Sequence, residues 1–310
     1  MTLALSLLLA LGAFEPDPLL PGTPWALKGH TDAITAIAFR PDSQGLASAG
    51  RDHTVKLWDL KTGQVTRSIT LGPDSLTALA FSADGQRLAV GDLGLQVRVL
   101  DTASGEVLKA FAHPDAVGEV ALSPDGAQLA VAGLTDTGAV YDWATQKKRF
   151  AFRGRTARFS ADGQALLVAN GAGSFSVLDA KTGKVKKRVD VTPDQPLATW
   201  TADGARIATW HLGGIDVRLW SREGKAQATL KGPVAEVERR RAQVTGVALT
   251  PDGRRVIVGG ADGLVRAWSV AEAKVTQTWL ADKNTGVAVS PDGAWLAVTD
   301  QGLVKLWKLP

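Results

Sequence analysis

Apolar and polar positions along this chain follow one repeated cadence. A short apolar run such as Ile34, Ile37, Ala38 and Phe39 leads into a turn built on an Asp, and a second apolar run, Leu46 to Ala49, leads out of it. After a loop comes a third run, Val55 to Asp59, and then a more polar fourth run, Gln64 to Leu71. Short runs rich in Val, Ile, Ala and Leu, punctuated by Pro, Asp and Gly, predict many small antiparallel strands. The third run recurs as Val97 to Asp101, Ala139 to Asp142, Phe175 to Asp179, Val217 to Ser221, Val265 to Ser269 and Val304 to Lys308. The polarity of the fourth run suits an outer edge strand, where charged side chains discourage pairing with another molecule.

The turn between the first two runs is itself a repeat. It reads Arg-Pro-Asp-Ser from Arg40, then a Ser or Thr, a Pro or Ala, Asp and Gly from Ser82, Ser123, Ser160, Thr201, Thr250 and Ser290. Pro presets φ, Asp tolerates a turn and Gly accepts positive φ, so the unit suits a hairpin. Its aspartates, from Asp42 to Asp292, are spaced by 42, 41, 37, 41, 49 and 40 residues. Those lengths fall in the range of propeller blades, and seven copies predict an all-β ring of seven four-stranded blades.

Gly29-His30 before the first strand, Ser48 on the second, Asp52 in the next turn and Trp58-Asp59 on the third together resemble a repeat of the WD40 family. Later repeats keep fragments: Trp220, Trp268 and Trp307 on third strands, and Asp92, Asp262 and Asp300 before them. Repeats three and four diverge most, with Tyr141-Asp142 and Leu178-Asp179 in place of Trp-Asp. The resemblance covers about 285 residues and implies a seven-bladed propeller in which His30, Ser48, Asp52 and Trp58 are bonded inside the blade. It also implies closure by a terminal strand. The last repeat stops at its third strand, and Pro24 to Lys28 is a spare strand-like segment able to complete it. The domain expectation is therefore a propeller over residues 23–310, preceded by a signal peptide and short linker over residues 1–22.

The export expectation comes from Met1 to Ala13, an apolar run followed by Glu15, Pro16, Asp17 and Pro18, with Ala10 and Gly12 suited to cleavage. No Lys or Arg precedes the run, so the signal is atypical and the alternative is a cytoplasmic protein. Thirteen residues are too few to span a bilayer. With 35 basic and 31 acidic residues the net charge is +4, without the basic runs of a nucleic-acid arm. Cysteine is absent, which excludes disulfides, thiolate metal sites and a cysteine nucleophile.

Catalytic chemistry finds little purchase. His30, Ser48 and Asp52 are the residue types of a hydrolase triad, but no Gly-x-Ser-x-Gly elbow presents a nucleophile. The four histidines, His30, His53, His113 and His211, do not pair at metal-ligand spacing. The Asp-Gly units place one Asp in each hairpin, whereas a calcium loop gathers several oxygens. Gly171-Ala172-Gly173 lacks the Lys and helix of a phosphate loop. No cofactor, metal or catalytic residue is expected. Of the ten tryptophans, Trp25, Trp279 and Trp295 are least constrained by the repeat and could include an exposed contact.

In a propeller the loops from fourth to next first strand, and from second to third, gather on one face around the channel. Resemblance to WD40 proteins marks rim positions there: Thr35, Arg51, Thr77, Arg153, Arg155, Asp194, Thr245 and Lys283. The longest repeat step places an inserted loop with Arg239, Arg240 and Arg241 on the same face. The expected function is a noncatalytic scaffold, a monomer holding a protein or peptide with acidic segments, without nucleic acid. The alternatives are a TolB-like periplasmic propeller, which also uses Ser-Pro-Asp-Gly turns, and a propeller enzyme.

Overall fold

The computed structural model describes residues 24–191, 196–201, 204–211, 214, 216–231, 243–281 and 284–309. Strand β1 (Trp25–Lys28) precedes the repeats. Blade 1 is β2 (Ile34–Phe39), β3 (Gly45–Gly50), β4 (Thr54–Asp59) and β5 (Gln64–Thr70); blade 2 is β6 (Leu76–Phe81), β7 (Arg87–Asp92), β8 (Gln96–Asp101) and β9 (Val107–Ala112). Blade 3 is β10 (Val117–Leu122), β11 (Gln128–Gly133), β12 (Thr137–Asp142) and β13 (Lys148–Arg153); blade 4 is β14 (Thr156–Phe159), β15 (Ala165–Asn170), β16 (Ser174–Asp179) and β17 (Val185–Asp190). Blade 5 is β18 (Pro196–Trp200), β19 (Arg206–His211), β20 (Val217–Ser221) and β21 (Ala226–Leu230); blade 6 is β22 (Val244–Leu249), β23 (Arg255–Gly260), β24 (Leu264–Ser269) and β25 (Lys274–Leu280). Blade 7 is β26 (Asn284–Val289), β27 (Trp295–Asp300) and β28 (Leu303–Lys308), completed by β1. Every blade is a four-stranded antiparallel sheet, and the described residues contain no helix.

Burial explains the polarity pattern. The second strands sit inside the blades and are covered on both faces, so β3 and β11 are buried along their whole length and read as unbroken small apolar runs. The core lies between blades: Ala47, Ala49, Val55 and Leu57 of blade 1 pack against Leu76, Leu88, Val90 and Leu100 of blade 2. The third-strand tryptophans Trp58, Trp220, Trp268 and Trp307 are all buried, as is Trp279. Outer strands β5, β9 and β17 are mostly exposed.

The repeated turn is fixed by its own side chains. In blade 2, Ser82 Oγ donates to Asp84 at 2.5 Å and accepts the Arg87 N–H at 2.9 Å, while Asp84 accepts the Gln86 N–H at 3.0 Å. Ser123, Ser160, Thr250 and Ser290 bond the Asp two residues on in the same way. Blade 1 departs from this: the Arg40 guanidinium replaces the hydroxyl on Asp42 at 2.9 Å, and Ser43 takes the positive φ, 58°, that glycine holds elsewhere. Ser43 Oγ is thereby free to accept the Asp292 N–H of blade 7 at 3.1 Å.

The ring closes as the chain ends imply. β1 pairs antiparallel with β28, Trp25 opposite Leu306 and Lys28 opposite Leu303. Leu27 is buried with Ile34, Leu46 and Trp58 of blade 1 and with Val304 and Leu306 of blade 7. Trp25 and Trp295 meet at 4.8 Å between ring centroids, and Lys308 Nζ lies 6.0 and 5.5 Å from the two rings. Around the inside, the first strands of successive blades touch one another in an unbroken circuit from β2 through β26 and back to β2. Residues 1–23, on which the signal peptide was read, lie outside the described residues, as does most of the inserted loop.

Candidate interaction face

Antiparallel alternation places the fourth-to-first and second-to-third connections at one end of every blade. In blades 1, 2, 3 and 6 the second-to-third turn is pinned to the start of its own first strand by a backbone bond. Arg51 N–H donates to Ala33 O at 2.9 Å, Leu93 to Ser75 O at 3.0 Å, Leu134 to Ala116 O at 2.9 Å and Ala261 to Gln243 O at 2.8 Å. On these four blades the turns are short and anchored, which fixes where their residues stand on the face.

The predicted rim residues divide into two kinds. Arg51 and Arg153 are exposed. Arg155 is half-buried, its Nε 3.4 Å from Asp136 Oδ1, and Asp136 also accepts the Gly171 N–H of blade 4 at 2.9 Å. Thr35 and Thr77 are engaged between blades. Thr35 Oγ1 lies 2.5 Å from Leu76 O and 3.0 Å from Ala49 O, and Thr77 Oγ1 lies 2.5 Å from Val117 O and 3.2 Å from Gly91 O. Their hydroxyls bind neighbouring first strands together. Thr245 holds the matching position of β22 and is half-buried. Asp194, Arg239, Arg240, Arg241 and Lys283 lie outside the described residues.

The four motif residues of blade 1 form one directed chain. Trp58 Nε1–H donates to Ser48 Oγ at 2.8 Å, Ser48 Oγ lies 2.7 Å from His30 Nε2, and His30 Nδ1 lies 2.8 Å from Asp52 Oδ2. Asp52 is held in turn by the Thr31 N–H at 3.0 Å and the Thr54 hydroxyl at 2.8 Å. Every donor finds an acceptor if the histidine is neutral with its proton on Nδ1. Burial pushes the His30 pKa down, against the pull of Asp52. The Ser-His-Asp contacts of a hydrolase are therefore present, yet Ser48 is fully buried and its oxygen accepts from Trp58, so no substrate reaches it.

Three other blades place an acid–cation pair near this site instead, with Asp262 at the position of Asp52 and Asp92 and Asp300 at that of Gly50, which the sequence reading missed. Asp92 pairs with Arg98, Asp262 with Arg266 at 2.5 Å and Asp300 with Lys305 at 2.7 Å, each cation on the third strand of its blade. In blade 3, buried His113 lies 3.2 Å from the Tyr141 hydroxyl and 3.0 Å from Thr137 O, and burial again lowers its pKa. The signal was available: His113-Pro114-Asp115-Ala116 repeats the spacing of His30-Thr31-Asp32-Ala33.

A second missed cluster lies on the inner strands. Arg158 Nε of blade 4 is 2.6 Å from Glu119 Oε1 of blade 3, and its Nη1 is 3.0 Å from Thr199 Oγ1 of blade 5. Three exposed leucines on the loop face, Leu93, Leu95 and Leu134, also went unread. No group of three potential metal ligands occurs among the described residues, nor any helix long and apolar enough to cross a membrane.

Comparison with known proteins agrees with this architecture. The family model described as WD domain, G-beta repeat matches residues 23–59, 224–269 and 279–308. The chain is 42% identical to nuclear distribution protein nudF 2 of Talaromyces marneffei over 60 residues, 19% of this chain and 13% of that protein. It is 55% identical to protein Mut11 of Chlamydomonas reinhardtii over 38 residues, 12% of this chain and 10% of that protein. The matched segments thus span well under a fifth of these relatives' length. The crystal structure of the Cps50 (Swd1) β-propeller domain of Myceliophteria thermophila superposes with a TM-score of 0.81. The superposition covers 91% of this chain and 98% of that one, and at 17% identity it is a likeness of fold. These matches give the TolB-like alternative no support.

Proposed function

Given a chain that folds as a seven-bladed propeller of WD40 repeats, we propose that it is a noncatalytic scaffold that holds a partner protein or peptide against its loop face. One observation carries the reading: the polar motif residues of blade 1 that could do chemistry are bonded to one another inside the blade, while Arg51 stands exposed on an anchored turn and Arg153 at the end of a fourth strand. Arginine offers a fork of donors that matches carboxylates, which favours a partner with an acidic segment. The chain acts as a monomer, and the near balance of 35 basic and 31 acidic residues, without a long basic arm, favours protein over nucleic acid. On location, the matched relatives include nuclear distribution proteins of fungi, which favours the cytoplasmic alternative over export.

The test is capture of partners from extract on the immobilised full chain, with and without Arg51→Ala and Arg153→Ala. Capture of the bound protein is expected to fall by roughly tenfold in the double variant and to weaken as salt rises. Capture that is unchanged by both substitutions places the binding surface elsewhere. Arg155→Ala is expected to act differently, lowering the melting temperature, because it leaves Asp136 without its cation.

A further inference from the structure

Three consecutive blades carry an exposed side chain at one structural position, the residue that follows the second strand and bonds the carbonyl ahead of the first. It is Arg51 in blade 1, Leu93 in blade 2 and Leu134 in blade 3. Leu93 is 45% exposed and Leu134 46%, and Leu95 in the same turn as Leu93 is 42% exposed. Leu95 also holds a φ of 66°, at a turn position taken by His53 and Asp136 at 62° and 65° in blades 1 and 3 and by Gly173 and Gly263 at 78° and 80° in blades 4 and 6. Leucine is an unusual residue for that region, and here its carbonyl accepts the His113 N–H at 2.7 Å while the side chain remains exposed.

The leucines do not stand alone. One blade earlier on the ring lies Arg51, and at the junction with blade 4 the fourth strand of blade 3 ends at exposed Arg153. Two acids of the intervening loops, Asp74 and Asp115, lie against the second-to-third turn of the same blade. Asp115 accepts the Thr135 N–H and hydroxyl, both at 2.7 Å, and the Asp74 carboxylate lies so close against Gly94 that no side chain would fit there. An apolar arc is thus flanked at each end by a cation. Exposed apolar side chains on neighbouring blades with charges beside them suit a partner that offers both kinds of group.

We infer that the arc of Leu93, Leu95 and Leu134 receives a peptide segment that carries apolar side chains between carboxylates, the leucines taking the apolar groups and Arg51 and Arg153 the acids. The inference rests on the scaffold reading of the loop face and names the class of segment that the face selects. The apolar arc supplies affinity by desolvation, and the two arginines set which segments are admitted.

The experiment is fluorescence anisotropy with the full chain and three labelled peptides of equal length. One alternates leucine and glutamate, one serine and glutamate, and one leucine and lysine. The leucine–glutamate peptide is expected to bind, the serine–glutamate peptide roughly tenfold more weakly, and the leucine–lysine peptide not at all. Leu93→Ser with Leu134→Ser is expected to bring the first peptide down to the level of the second, with melting unchanged because both leucines are exposed. Arg51→Ala with Arg153→Ala weakens both glutamate peptides. If the leucine variant binds as the unaltered protein does while the arginine variant loses binding, the acidic-partner reading stands and the apolar arc is refuted. If neither variant affects a bound peptide, both readings fall. Failure of the leucine–glutamate peptide to bind the unaltered chain also overturns the inference.

Discussion

At the scale of single residues, proton placement decides much of this protein's behaviour. His30 and His113 are buried and held neutral, each with its pKa pushed below the usual 6.5. Between the ordinary and the lowered value the unfolded chain binds more protons than the folded one, so stability falls as pH drops through that window. Each histidine contributes up to about 1.4 kcal/mol per pH unit there. A second acid limb follows. Serine or threonine hydroxyls bonded to Asp84, Asp125, Asp162 and Asp252 hold these carboxyls low, Asp162 at about 2. Their stabilisation is complete above the ordinary 3.8 and is lost as pH falls through the lowered values, for Asp162 toward about 2. Chemical denaturation against pH is expected to show both limbs, and His113→Gln to flatten the upper one; an unchanged slope would contradict a neutral His113. Ser48→Ala leaves the Trp58 N–H and His30 Nε2 unpaired and is expected to cost about 1–3 kcal/mol in unfolding free energy. Retention of full stability would show that the buried chain of bonds is dispensable. Of these residues, the blade 1 set was legible in the sequence because all four members stand at their expected spacing. His113 was not, because its partner is a tyrosine, and neither were the Asp–Arg and Asp–Lys pairs, whose cations look like ordinary strand-surface charges.

At the scale of strands, the sequence was most transparent. Seven hairpins bounded by the same turn left little freedom in where the first and second strands lay, and the buried third-strand aromatics fixed the next. The face carried by these strands was read less completely, since an exposed leucine such as Leu134 looks in sequence like the end of the buried run Leu129 to Ala132. Thr35 and Thr77 illustrate the converse: they lie on the rim, but only coordinates reveal that their hydroxyls are engaged by the neighbouring blade. The strand with the largest consequence is β1. Leu27 is 1% exposed at the join of blades 1 and 7, so Leu27→Ala is expected to destabilise by about 2–5 kcal/mol. Removal of Trp25–Lys28 leaves the edge of β28 open, and a cooperative melt is expected to be lost or shifted down by many degrees. Thermal unfolding followed by circular dichroism reads both; a chain lacking β1 that melts like the intact one would mean that β28 needs no partner.

At the scale of the molecule, the ring is regular in its bonding and irregular in its surfaces. The inner strands of blades 1, 2, 6 and 7 present small residues such as Ala36, Ala38, Gly246 and Gly286, whereas blades 3 to 5 contribute the Glu119–Arg158–Thr199 cluster. Equal blades would give a face with no preferred direction; these differences give it one. The pairing of β1 with β28 also sets an order of events in time. β1 bonds with a strand synthesised some 275 residues after it. At about 5–20 residues per second on the ribosome, Leu27 waits on the order of tens of seconds for Val304 to arrive. Throughout that interval six blades can form but the circle stays open, with an unpaired strand at its free margin that other nascent chains can reach.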